Sequence, residues 1–114
     1  MPEFHLERFR PDQLALEFAA IAERLARRIE KRRPSLADQV RRAAESITLN
    51  VAEGAGAFAA GDRRRYYRIA LRSVSEAVGA LGHAVAISAL HPTNTPEARA
   101  TLLQLTRLLT ALCK

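Results

Sequence analysis

Apolar residues recur at helical spacing along nearly the whole chain. Leu14, Phe18, Ile21, Leu25 and Ile29 follow a four-three-four-four spacing that lines one face of an α-helix. Pro34 predicts the end of that helix, because the residue before a proline is pushed out of the α region. A first helix is therefore expected over residues 12–33. A second, over 35–53, carries the apolar line Val40, Ala43, Ile47 and Val51, with Ser35 as its expected N-cap, Asp38 three residues on, and Gly54 as the expected left-handed residue past its end. The following loop, 55–61, is small and apolar, and Phe58, its only large side chain, is expected to tuck under the turn or against another subunit. A third helix over 62–90, with Asp62 as N-cap, would be roughly 43 Å long against roughly 28 Å for the second. It must overhang or bend, and Gly79 and Gly82 would permit a bend or a close helix crossing. Thr95, Pro96 and Glu97 read as N-cap, first-turn proline and first-turn acid of a fourth helix over 96–113. Its leucines, at 102, 103, 105, 108, 109 and 112, occupy more than one narrow seam, so part of this helix is expected to bury against another chain.

Nothing in the chain alternates like a strand, and no Asn-Gly or Asp-Gly hairpin turn occurs. The fold class is all-α, and 114 residues suffice for one core of four helices but not for two. Short connections make consecutive helices antiparallel, which predicts a single-domain up-down-up-down four-helix bundle over 1–114. Residues 1–11 have no clean period and read as an arm. Phe4, Leu6 and Phe9 are apolar enough to pack on a neighbouring subunit, and a frayed terminus is the plainer alternative.

Polar groups line the edge of the apolar seam in the middle of the chain. Ser46, Asn50 and Glu53 fall along one stripe of the second helix, and Ser73 and Glu76 repeat the mixture on the third. With these helices antiparallel about a midpoint near residue 58, Asn50 lies level with about Tyr66, Ser46 with about Ala70 and Glu76 with about Val40. Glu53 then sits near Arg63 to Arg65, and Glu76 can reach Arg72, Arg41 or Arg42. Ser46, Asn50, Glu53, Ser73, Glu76 and Arg72 are expected to form an interhelix network that fixes register.

The run SITLNVAEGAG, followed after a short gap by YYRIALRSVSE, resembles the four-helix-bundle family first noted as proteins encoded in intervening sequences of bacterial 23S ribosomal RNA genes. The family pattern is roughly S-I-x-x-N-I-A-E-G, then an aromatic and I-A-x-G-S-x-x-E. The upstream run LADQVRRAAES is similar too, and the likeness covers about residues 12–113. Arg72 departs from it, standing where the family usually has Gly before Ser73. The resemblance implies assembly into a homopentameric ring. Related pentameric bundles serve as accessory factors that bind nucleic acid and a reverse transcriptase in retroelements.

Charge bears on that expectation. The chain carries +6 from 18 basic and 12 acidic residues, and all the basic ones except Lys31 and Lys114 are Arg. A positive balance favours an anionic partner through counterion release, although Arg also serves exposed helix faces and can be compositional. In Arg63, Arg64, Arg65, Tyr66, Tyr67 and Arg68, forked guanidinium groups suit phosphate and a tyrosine ring suits an unpaired base, as in RNA or single-stranded DNA. Two readings of this run stay open: it binds nucleic acid, or Tyr66 belongs to the core in line with Ile69, Ala70 and Ser73 while the arginines are solvated or paired with Glu53. Tyr67 is expected to be the more exposed tyrosine. Arg27, Arg28, Lys31, Arg32, Arg41 and Arg42 make a second basic group at the opposite end of the bundle. The alternative function is a structural or protein-binding scaffold with no nucleic-acid role.

Catalytic constellations are missing from the sequence. Glu53 and Glu76 fall more than two helical turns apart on the level argument, too far for a paired acid and base. None of His5, His83 or His91 follows a Glu at the Glu-x-x-His spacing of a di-metal bundle, so neither a metal nor a cofactor is expected. Ser46, Ser73 and Ser75 lack an elbow context, the loop at 55–61 lacks the strand and Lys-Ser/Thr of a phosphate-binding loop, and Cys113 has no visible base. The chain is read as non-enzymatic. Its charged first residues and the lack of a long apolar run make a cytoplasmic location the expectation.

Overall fold

The computed structural model describes residues 10–114, and these form four α-helices: α1 (Pro11–Ile29), α2 (Pro34–Gly56), α3 (Ala60–Ala86) and α4 (Pro96–Leu112). A 3₁₀ turn, Pro92–Asn94, precedes α4. The residues expected to form an N-terminal arm lie, up to residue 9, outside the described residues.

Each helix packs on two neighbours, α1 on α2 and α4, and α3 on α2 and α4, so the cross-section is a four-cornered bundle. Cross-links run antiparallel: Glu23 of α1 meets Arg41 of α2, and Ser46 of α2 meets Ser73 of α3. The expected stripes are buried, Leu14, Phe18, Ile21, Leu25 and Ile29 from α1 and Val40, Ala43, Ile47 and Val51 from α2. Phe18, Ile29, Ile47, Leu105 and Leu109 are the bulkiest fully buried side chains, each contributing about 1.5–3 kcal/mol by leaving water. Alanine fills much of the remaining seam, which lets the helices approach closely.

Helix ends differ from expectation where the chain must reverse quickly. The first helix stops at Ile29 rather than Arg33, and residues 30–33 form a turn in which the Arg32 and Arg33 amides donate to the Ile29 carbonyl at 3.0 and 2.9 Å. Pro34 acts as foreseen, holding Arg33 out of the helix at φ −140°, ψ 82°. It also opens α2 as its first residue, so Ser35 lies inside the helix and is not its N-cap. At the far end α2 runs on to Gly56, and Gly54 is not left-handed: among the described residues no glycine has a positive φ.

Helix α3 begins at Ala60, which places Asp62 in its first turn, beside the positive end of the helix dipole, instead of at the N-cap. It continues unbroken past Gly79 and Gly82, and a Cβ at either would meet nothing within 4 Å, so neither marks a close crossing. It ends at Ala86, short of Leu90, because Ser88 adopts φ 63°. The Ser88 amide donates to the Val85 carbonyl at 3.0 Å and the Ala89 amide to the Ala84 carbonyl at 2.8 Å, the paired bonds of a Schellman cap with serine where glycine is usual. Thr95 does precede α4, but its hydroxyl donates back to the Pro92 carbonyl at 2.8 Å and caps no α4 amide. Of the α4 leucines, 102, 105 and 109 are buried while Leu103 and Leu112 are exposed.

Candidate nucleic-acid interface

The seam between α2 and α3 positions everything around it. Tyr67, Ala70, Val74, Ala77, Leu81 and Ala84 are all buried and follow a three-four-three-four-three spacing that turns this face of α3 inward. Tyr67 is 5% exposed, correcting the expectation that it would be the outward ring. Burial, the largest effect on it, pushes its phenol above the ordinary tyrosine range. Its ring lies against Gly54, where a Cβ would fall 2.5 Å from Cε1 and 2.8 Å from Cδ1. Only a glycine allows this approach.

Above that contact sits a small hydroxyl cluster. Ser73 Oγ donates to Ser46 Oγ at 2.7 Å, and Asn50 Nδ2 reaches the Ser46 carbonyl at 2.9 Å and its Oγ at 3.2 Å. Ser46, Asn50 and Ser73 therefore form the expected interhelix link, three residues further along α3 than the level argument placed it. Glu53, Glu76 and Arg72 stand outside it, exposed and with no ion pair or side-chain hydrogen bond among the described residues. Glu53 follows Asn50, and Glu76 follows Ser73, by three residues, a step about 60° short of a full turn that carries each away from the seam.

The outer face of α3 is basic. Arg65, Arg68 and Arg72 are exposed and share one stripe at three-four spacing, with Arg64 half-buried toward α4, where Cys113 Sγ lies 4.0 Å from its carbonyl. Arg63 Nη2 donates to the Ala57 carbonyl at 3.1 Å across the turn. Tyr66, a core residue in one of the two readings of the sequence, is half-exposed, and the Arg65 guanidinium stands 4.8 Å from its ring centroid. None of Arg63, Arg64, Arg65, Arg68 and Arg72 makes an ion pair among the described residues, and Glu53 does not pair with them as expected. Arg72 belongs to this stripe, a placement its i+4 spacing from Arg68 could have disclosed.

The second basic group is not one patch. Arg41 donates to Glu23 at 3.0 Å and also bonds Glu30, and Arg27 donates to Glu23 at 3.3 Å, so these cations are neutralised by acids of α1 and the turn after it. Hydrogen bonding from Arg41, opposed by burial and aided by Arg27, holds Glu23 below the usual carboxylate range, and the same contacts raise the Arg41 guanidinium. Arg28, Lys31 and Arg32 stay exposed on α1 and the turn after it. Arg42 turns to the other side of α2, where Arg33, Gln39, Glu76 and His83 share a cavity of about 680 Å³ with it.

Beside the α2–α3 turn, Glu53, Phe58, Asp62 and Tyr66 border a cleft of about 580 Å³. Phe58 does not tuck under the turn. It is fully exposed.

Ser46, Asn50, Gly54, Tyr67 and Ser73, which build the seam, are residues of the SITLNVAEGAG and YYRIALRSVSE runs. A family model described as 23S rRNA-intervening sequence protein matches residues 10–111. The chain belongs to this family. In this chain the paired runs thus have a structural reason, since they are the two halves of one interhelix clasp. Arg72, where the family pattern has Gly, is exposed, so the close approach in this member falls at Gly54 and not there. A search of curated proteins finds no match to the chain. No described helix is long and apolar enough to cross a membrane.

Proposed function

We propose that this chain is a non-enzymatic binding module that holds single-stranded nucleic acid along the outer face of α3. The observation that carries this reading is that one basic group is continuous and the other is not: Arg28, Lys31, Arg32 and Arg42 are also exposed, but Arg28 lies on the α1–α4 side and Arg42 on the α2–α3 side. Arg27 and Arg41 are spent on Glu23 and Glu30, whereas Arg65, Arg68 and Arg72 share a solvent face without an acidic partner among the described residues. Unpaired guanidinium groups one turn apart suit successive phosphates, and Tyr66 beside them offers a ring on which a base can stack. The non-enzymatic part is supported by Glu53 and Glu76 bordering separate cavities.

Assembly into a ring belongs to the same proposal. Leu16 and Leu49 are exposed on the α1–α2 side and Val78 and Leu103 on the α3–α4 side. Apolar groups on opposite sides of one bundle favour head-to-tail contact, which closes into a ring when the rotation permits. Five such copies, the number the resemblance implied, would repeat the α3 stripe around the circumference.

Titration of a fluorescent single-stranded RNA over a series of salt concentrations tests the binding reading. The parent protein is expected to bind with a steep negative slope of log affinity against log salt. Changing Arg65, Arg68 and Arg72 to Gln should weaken binding and make the slope less negative by about 2, at roughly 0.7 per lost single-strand phosphate contact. Unchanged affinity and slope would remove this face from the mechanism.

A further inference from the structure

The cleft beside the α2–α3 turn combines features that phosphate contacts alone do not explain. Phe58 is 101% exposed at the turn, and Tyr66 borders the same cleft of about 580 Å³. Two carboxylates, Glu53 and Asp62, line it together with these rings. Both are exposed and unpaired among the described residues, although three arginines follow Asp62 directly. Carboxylates repel a phosphate backbone, so a strand lying on this surface must meet them with groups that donate hydrogen bonds.

Resting on the reading of α3 as a nucleic-acid surface, we propose that this cleft takes one unpaired guanine and is the sequence-reading part of that surface. Aromatic rings hold an extruded base by stacking on its face, whichever base it is. Discrimination comes from the edge. Carboxylate oxygens only accept, and they match a base edge that presents adjacent donors. Guanine is the base whose Watson–Crick edge carries two neighbouring donors, N1–H and the N2 amino group, and one carboxylate can accept both. Adenine and cytosine each present an acceptor at the ring nitrogen beside a single amino group, and uracil presents one N–H flanked by carbonyls, which a carboxylate repels. Arg65 lies against Tyr66 and at the start of the outward stripe, so it connects the base slot to the phosphate path.

The test uses the whole chain and short oligouridine RNAs that carry a single central guanine, inosine, adenine or uracil, measured by fluorescence anisotropy at constant salt. Guanine should bind about tenfold more tightly than uracil, on the scale of one good bidentate base contact. Inosine, which keeps N1–H but lacks the N2 amino group, should lose most of that gain. Changing Glu53 to Gln together with Asp62 to Asn should abolish the preference for guanine while leaving or strengthening binding to plain oligouridine. Phe58→Ala should weaken the guanine, inosine and adenine strands alike. Its ring touches no core, and circular dichroism identical to the parent would confirm the fold. Equal binding of all four RNAs, or a guanine preference that survives the double substitution, overturns the inference and leaves the phosphate-binding reading intact. Failure of every RNA to bind at low salt overturns both.

Discussion

Substituting Gly54 by Ala isolates the contact on which the α2–α3 seam depends. In a helix this change ordinarily stabilises by about 1 kcal/mol, because glycine loses more backbone freedom on folding. Here the new Cβ would stand 2.5, 2.8 and 3.0 Å from Cε1, Cδ1 and Cζ of Tyr67. The ring is buried, a rigid plane that can move aside only by displacing α3. Overpacking of this kind costs typically about 1–3 kcal/mol. The two effects leave a net loss of up to about 2 kcal/mol, and at roughly 4 °C per kcal/mol for a domain of this size the midpoint should fall by up to about 8 °C. Gly82→Ala is the control, because nothing lies within 4 Å of its Cβ position, and it should raise the midpoint by about 4 °C. Thermal melts followed by circular dichroism at one fixed protein concentration compare them, since any assembly makes the midpoint concentration-dependent. Repeating Gly54→Ala in a Tyr67→Leu background removes the opposing ring and should turn the loss into a neutral change or a gain. The reasoning fails if Gly54→Ala stabilises the parent as Gly82→Ala does, or if its cost persists undiminished in the Tyr67→Leu background.

Two further substitutions probe other features of the fold. Ser88→Gly should raise stability by about 1 kcal/mol, because Ser88 is held at φ 63° to close the α3 cap and glycine adopts that conformation without the Cβ clash; a denaturant midpoint unchanged or lowered would contradict this. Arg41→Gln should destabilise at neutral pH by leaving Glu23 and Glu30 without this partner. Because Glu23 is held below its ordinary range in the folded chain, its contribution is present above the unfolded carboxylate pKa and lost as pH falls through the depressed value. Urea melts of parent and variant should therefore converge in acid, and a difference that stays constant with pH would count against the Glu23–Arg41 pairing.

The sequence by itself determined the helices, their order and the faces of α1 and α2, since large side chains at 3.6-residue spacing leave one way to bury them. It also carried the family, through the two runs that become the α2–α3 clasp. Other features required the packed chain. Half of the buried face of α3 is alanine, whose small side chains give a weak periodic signal, and so Tyr67 was expected to be the more exposed tyrosine. Gly54 looked like a helix stop because glycine usually ends helices, but its role depends on a ring 13 residues away. The helix ends at Ile29 and Ala86 were decided by how soon the chain had to turn back onto its neighbour. Charge behaved likewise: composition counted the arginines, but only the tertiary structure decided that Arg41 faces Glu23 and Glu30 while Arg65, Arg68 and Arg72 face solvent. Ion pairing depends on which helices become neighbours, and that is fixed by burial of the seam and not by the charges themselves.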